Sequence, residues 1–263
     1  MKPLNLLLPF TPVRARWITV LAVTQAGLAL ALWALSGSRT LPSPPDVARA
    51  WLDLVQHQGL VIELWASVKV SLIALALSTL AAVAMACLAT APAFMPLARL
   101  AATLRFLGFA GLTYVFMLVS GDTLGLRVSI LAFGMFVFMV TALLADLAAT
   151  SRSPIDHCRT LGMRHWRITG EVVVLGKADV ILDLMRQNAA VGWTLLTLVE
   201  GLTRSGGGIG AMLLNQNRYF LLAGVFAIQL TILAVGLAQD VLLSKLKDSL
   251  CPWSTLGKER TAP

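Results

Sequence analysis

Apolar runs longer than a bilayer is thick limit what this chain can fold into. Between residues 64 and 91 a single charged side chain occurs, Lys69, and residues 124–150 carry only Arg127 and Asp146. A helix of roughly 20 apolar residues crosses the ~30 Å hydrocarbon layer. Within lipid, a backbone must satisfy its own polar groups, as a helix does. Composition agrees: 57% of the 263 residues are hydrophobic and 13% are charged, where soluble domains carry about 25% charge. The expected fold is an all-α, polytopic membrane protein.

Six spans are expected, at about 17–35, 64–91, 105–120, 124–150, 178–202 and 221–243, forming one transmembrane domain over 17–250. The first run is long and has no small-residue cleavage pattern close behind it, so it is expected to remain as a span. A break at residues 36–45 precedes an amphipathic surface helix from Asp46 to His57, with Val47, Trp51, Leu54 and Val55 on one face. The third span is the weakest and the fifth the most polar. With a head (1–16) and a tail (251–263) both in the cytoplasm, fourteen Lys and Arg fall on the inner side. Five fall outside: Arg39, Arg49, Arg127, Arg204 and Arg218. This positive-inside bias orients the chain and accounts for the net charge of +8 without nucleic acid as a partner.

The longest polar interruption, residues 151–177, is thereby placed in the cytoplasm. Ser153-Pro154 reads as a helix N-cap followed by proline at the first helical position, and Asp156 suits the first turn. Gly162 can end that helix, and Arg159, Arg164 and Arg167 make the segment basic. A capped, charged helix between two spans is expected to be presented to a soluble partner.

On these residues the chain resembles the permease subunits of bacterial ATP-binding-cassette importers that are fed by a separate substrate-binding protein. The family's loop signature is Glu-Ala-Ala, three residues, Gly, nine residues, Ile-x-Leu-Pro. Here Asp156-His157-Cys158, Gly162 and the Val172–Leu175 stretch stand at those places. Arg159 to Met163, Trp166 and Val172 to Val174 are similar to the branch handling nitrate, sulfonates, taurine and bicarbonate. So are Leu41-Pro-Ser-Pro44, Ala66 to Val70, Leu104-Arg105, Asp183 to Arg186, Trp193 to Glu200, the glycines to Gly210 and Cys251-Pro-Trp253. The likeness covers roughly residues 41–253 in order. The chain departs from the pattern at Asp156, His157 and Cys158, at Leu175 and Asp179 where prolines are usual, and at Gly108 in the third span.

The resemblance implies a type I importer permease fold in the bacterial inner membrane, assembled with two ATPase subunits, a second permease copy and a periplasmic or lipid-anchored binding protein. It implies that Asp156, His157, Cys158, Arg159, Gly162 and Trp166 form a coupling helix and its flank, docking on the ATPase. ATP and magnesium would be held by that partner, and this chain would bind no cofactor. The solute would be a small anion. A thiamine-precursor or aromatic solute, or a non-transporting scaffold with a degenerate loop, remain alternatives.

Polarity inside spans marks the candidate pathway. Asp179, Asp183, Arg186 and Gln187 recur at helical spacing in the fifth span, with Asn188 on a neighbouring face. Such residues are costly against lipid and should face protein or water. Asp183 is expected to pair with Arg186 or Lys177. Lys69, Trp193 and Glu200 are further candidates, Lys69 being equally explained by snorkelling from its helix end and Glu200 by contact with the binding protein at the outer mouth. The run Gly206-Gly-Gly-Ile-Gly210 lacks the preceding strand and the Lys-Ser/Thr of a phosphate loop, so a flexible turn is expected. No catalytic set and no metal-ligand spacing is found, and Cys87, Cys158 and Cys251 are too scattered for a disulfide framework.

Overall fold

The computed structural model describes residues 15–35, 41–203 and 206–253. The predicted head up to residue 14, the tail beyond Trp253, Arg39 and Arg204 lie outside the described residues. Eleven α-helices follow one another, and no strand occurs among the described residues. They are α1 (Ala15–Leu35), α2 (Pro44–Gln56), α3 (Leu60–Ala89), α4 (Met95–Thr103), α5 (Phe109–Val119) and α6 (Thr123–Ala148). The remainder are α7 (Ser153–Thr160), α8 (His165–Thr169), α9 (Ala178–Thr203), α10 (Ile209–Arg218) and α11 (Leu222–Leu250).

Four of these, α1, α3, α6 and α11, are long and apolar enough to cross a membrane. The chain is therefore all-helical and built for a bilayer. The residues of the expected fifth span form one helix, α9, of 26 residues, which is not among the four apolar enough to cross. The expected third span is broken. A 3-10 turn at Leu104–Phe106 leads into extended backbone at Leu107 and Gly108, and α5 has only 11 residues. At 1.5 Å per residue that is about 16 Å, half of what a crossing needs.

Packing centres on α3, α6 and α9, with α11 and α10 against α9 and α2 against α11. Helix association in lipid depends on close van der Waals fit, since the tails are as apolar as the side chains. The buried face of α3 is accordingly lined with small residues: Ser67, Ser71, Ala74, Ser78, Ala82, Ala86 and Ala89. They recur every three or four positions and let α6 approach, with Leu131, Met135, Met139 and Val140 filling the seam. On α9, Gly192 faces Met135; a Cβ there would lie 2.8 Å from the Met135 Cε.

The surface helix α2 follows its sequence. Pro44 and Pro45 occupy its first turn, and extended Ser43 precedes it, donating from Oγ to the Asp46 carboxylate at 2.5 Å. Val47 and Leu54 are buried and Val55 is half-buried against α11. Trp51 stays exposed but donates its indole N–H to the Thr231 hydroxyl at 3.1 Å.

The break at Gly108 needs no proline. Its φ of −70° and ψ of 127°, after Leu107 at −72° and 131°, are values that a proline and its preceding residue adopt. No atom crowds a Cβ there. Gly108→Pro is expected to leave the melting temperature of the detergent-solubilised protein unchanged or to raise it, with about 0.4–1 kcal/mol gained from a stiffer unfolded chain. A marked fall would show that the helix runs through this point.

Candidate functional site

The loop between α6 and α9 forms a short exposed helix, a sharp stop and a joint. Pro154 and Asp156 occupy the first turn of α7 as expected, but the N-cap is Arg152 in helical geometry, with no side-chain cap. Ser153 is already inside the helix. Asp156 accepts from Arg159 Nη1 at 3.1 Å, one turn away and exposed on both sides; such a pair adds at most about 1 kcal/mol. No residue of α7 is buried. The helix therefore presents Asp156, His157 and Arg159 to solvent, with Ile155 and Cys158 half-buried beneath.

Gly162 ends α7 by a Schellman motif. Its amide bonds to Arg159 O at 2.9 Å, the Met163 amide bonds to Cys158 O at 3.2 Å, and its φ is +73°. That left-handed conformation favours glycine. The chain then passes through α8 into a π-helical segment, Gly170–Leu175, closed by a Gly176 amide to Glu171 O bond of 2.8 Å. Single π turns within helices often mark functional positions. Trp166, Leu161 and Leu175 stay about 60% exposed. A cavity of about 630 Å³ lies under the loop, lined by Thr90, Pro92, Leu147, Ile155, Trp166 and Val172 among others. The Thr90 and Thr169 hydroxyls, 3.2 Å apart, tie the loop to the end of α3.

The polar residues of α9 reach across to other helices. Lys247, buried on α11, donates to the Asp183 carboxylate, and Arg186 Nε donates to Asp240 Oδ1 at 2.8 Å. Lys177 meets the Asp146 carboxylate, the Thr150 hydroxyl and, at 3.0 Å, the Asp146 carbonyl. The expected Asp183 pairing with Arg186 or Lys177 is thus replaced. Helix α11 offers opposite charges beside α9, and pairing across the seam removes two charges from lipid while joining two helices. Lys247 accordingly belongs to this seam, within α11.

Asn188 is buried and donates to Met135 O at 2.9 Å, while its Oδ1 has no partner. Trp193 donates to Gln239 Oε1 at 2.7 Å. Gln187 is exposed, on an open face of α9 continued by Ala190, Val191, Thr194, Leu198 and Leu202. Asp179 is half-buried near the start of the helix. Lys69 is exposed, with its ammonium 5.5 Å from the Trp65 ring centroid, a position that agrees with snorkelling.

At the opposite end of α9 lies a cluster that sequence reasoning largely missed. Glu200 has no exposed surface. It accepts from Ser67 Oγ at 2.6 Å and from the Gly210 amide at 2.8 Å. The Ile209 amide donates to Ser67 Oγ at 2.9 Å, and the Gly208 amide donates to the Glu63 carboxylate. Arg127, expected in an outer loop, is a buried residue of α6. It donates to Gly207 O at 2.7 Å and to Thr203 Oγ1 at 3.1 Å.

Two sequence expectations are corrected here. The glycine run is no flexible turn, because side chains from α3, α6 and α9 hold it. Glu200 contacts the start of α10 inside the protein, not a partner at the outer mouth. Two carboxylates satisfy the free amides at the α10 N-terminus and complement its dipole. The available signal was charge at one end of apolar helices: Glu63 and Arg127 each flank a span, opposite a glycine run that can approach closely.

Among the described residues, no group of three or more His, Cys, Asp or Glu side chains could hold a metal ion. No protein-family model matches this chain, and no curated protein matches it. The residues themselves carry the functional argument. They form three groups: an exposed loop helix, an ion-paired N-terminal half of α9, and a latch on α10.

The latch sets a clear stability expectation. Glu200→Ala leaves the Ser67 hydroxyl and the Gly210 amide without their acceptor and Arg127 without a neighbouring carboxylate. It should cost about 3–5 kcal/mol, as removing one member of a buried polar network does. Gly210→Ala should be as damaging, because a Cβ would lie 2.5 Å from the Thr197 carbonyl oxygen. Thermal unfolding in detergent, followed by tryptophan fluorescence, measures both. A melting temperature equal to the parent's in either variant would refute the latch.

Proposed function

We propose that this chain is the transmembrane permease subunit of an ATP-binding-cassette importer in the bacterial inner membrane, with both termini cytoplasmic. The observation that carries the reading is α7: an exposed helix between two membrane-length segments, stopped by Gly162 at the signature glycine. The ordered sequence resemblance over residues 41–253 supports it.

In this reading α7 docks on an ATPase subunit, with Asp156, His157, Cys158, Arg159 and Trp166 at or beside the contact. ATP and magnesium belong to that subunit, and this chain makes and breaks no covalent bond. Closure of two ATPases on ATP draws two α7 helices together. The motion passes through α8 and the π segment into α9, whose base is held to α6 by the Lys177–Asp146 pair. Alternating access then opens the route outward to a loaded binding protein, and hydrolysis resets it.

The six spans of the permease fold are completed by α9 and by the broken segment of α4 and α5. A second copy closes the route along the open face of α9. There a groove of about 830 Å³ is lined by Thr194, Leu198, Leu202 and Gln229, with Leu213 and Val225. Gln187 is the candidate that faces this route most directly. Asp183, Arg186, Asn188 and Trp193 hold the route's wall in place. The solute is a small polar molecule. Lys69 lies beside Trp65 and Arg186 is paired with Asp240, so an anionic solute is favoured by the resemblance alone.

The test is co-purification from native membranes with an ATPase subunit, then ATP hydrolysis with and without the binding protein. Asp156→Arg inverts the first-turn charge of α7, and Gly162→Arg forces a side chain into left-handed backbone. Both should reduce hydrolysis to the unstimulated level while the amount of protein in the membrane is unchanged. Full stimulation in either variant would remove α7 from the coupling role.

A further inference from the structure

Helix α1 stands apart from the body of the chain. None of its 18-residue apolar window, Trp17–Ala34, is buried. It is anchored near its C-terminal end, where Trp33 stacks on Phe226 at 6.2 Å and donates to Pro42 O at 3.1 Å. In the middle of this window lies Gln25, eight residues from Trp17 and nine from Ala34, or roughly 12 Å from either end. Its side chain is exposed and makes no hydrogen bond among the described residues. An amide at that depth needs a partner, and lipid tails supply none.

The residues around Gln25 form a seam. Ile18, Ala22, Gln25, Ala29 and Leu32 follow at alternating steps of four and three, the spacing that keeps one face of a helix against another in a left-handed pair. All five are exposed. Ala22 and Ala29, one turn on either side of Gln25, are small enough to let a partner backbone approach the amide.

The geometry points to a second copy of α1 as the occupant. Copies inserted in one direction place their α1 helices parallel, about a two-fold axis along the membrane normal, so each seam residue meets its equivalent at the same depth. Gln25 then meets Gln25. A carboxamide carries both donor and acceptor, so it is complementary to itself. Any other helix would need a polar side chain at matching depth. The pairing rests on α1 alone and is independent of the coupling reading.

Cysteine scanning of the full-length chain in its native membrane tests this, with Cys87, Cys158 and Cys251 replaced by serine. If Cys251→Ser lowers the protein level, Cys251 is retained, since it is buried and shielded from oxidant. Ile18→Cys, Ala22→Cys, Ala29→Cys and Leu32→Cys should give disulfide-linked dimers on mild oxidation. Val20→Cys, Val23→Cys, Gly27→Cys and Leu30→Cys, on the opposite face, should remain monomeric. Gln25→Leu in the Ala22→Cys background should weaken association about fivefold or more, and Gln25→Asn should preserve it. Linkage without this periodicity, adducts of a mass other than two chains, or a Gln25→Leu dimer yield equal to the parent's would each overturn the inference.

Discussion

Glu200 accepts a hydrogen bond from the Ser67 hydroxyl and another from the Gly210 amide, and those contacts set α3, α9 and α10 in register. A buried carboxylate is unfavourable unless its oxygens are satisfied and a positive group is near. Here Arg127 supplies the positive group from α6 and also binds Gly207. The short segment from Gly207 to Gly210 is thus gripped by α3, α6 and α9. From this pinned end α9 runs to its start, where Lys177, just before it, pairs with Asp146 and its own Arg186 and Asp183 pair with Asp240 and Lys247. The helix is held by polar contacts at its two ends and by apolar packing between.

The parts legible in the sequence were those set by local chemistry. Long apolar runs specify spans because backbone polar groups have no other solution in lipid. Pro44, Pro45 and Asp46 specify the start of α2, and Gly162 specifies the end of α7, each within one helical turn. What sequence could not supply was pairing across helices. Asp183 and Arg186 are three residues apart and of opposite charge, which is sufficient ground for joining them on one helix. Only the placement of α11 reveals Lys247 and Asp240 as nearer partners. Arg127 was misplaced for a similar reason, since the position of a charge near a span end depends on where α6 begins.

The broken third segment illustrates a different limit. Proline would have announced the break; Gly108 adopts the same backbone without announcing it, and the surrounding apolar residues read as continuous. Glycine at residue 108 thus changes the sequence signal while keeping backbone angles that a proline would adopt. At the loop, His157 projects from an exposed helix and Cys158 lies half-buried on it, and the helix's stop is built from backbone bonds and one glycine. The scaffold of α7 is therefore indifferent to their identity, and variation there acts on whatever surface meets the helix.

The π segment between α8 and α9 has an effect that residue substitution would not disclose. It holds one more residue per turn than the helix around it, and each residue in an α-helix advances the side-chain direction by about 100°. The length of residues 170–175 therefore sets the angular phase between the loop helix and the face of α9. Loss or gain of a single residue there would rotate one against the other without substituting any residue of α7 or α9. Diversification of such a chain would be expected to tune the relation between its loop helix and its long helices through small insertions and deletions at this joint.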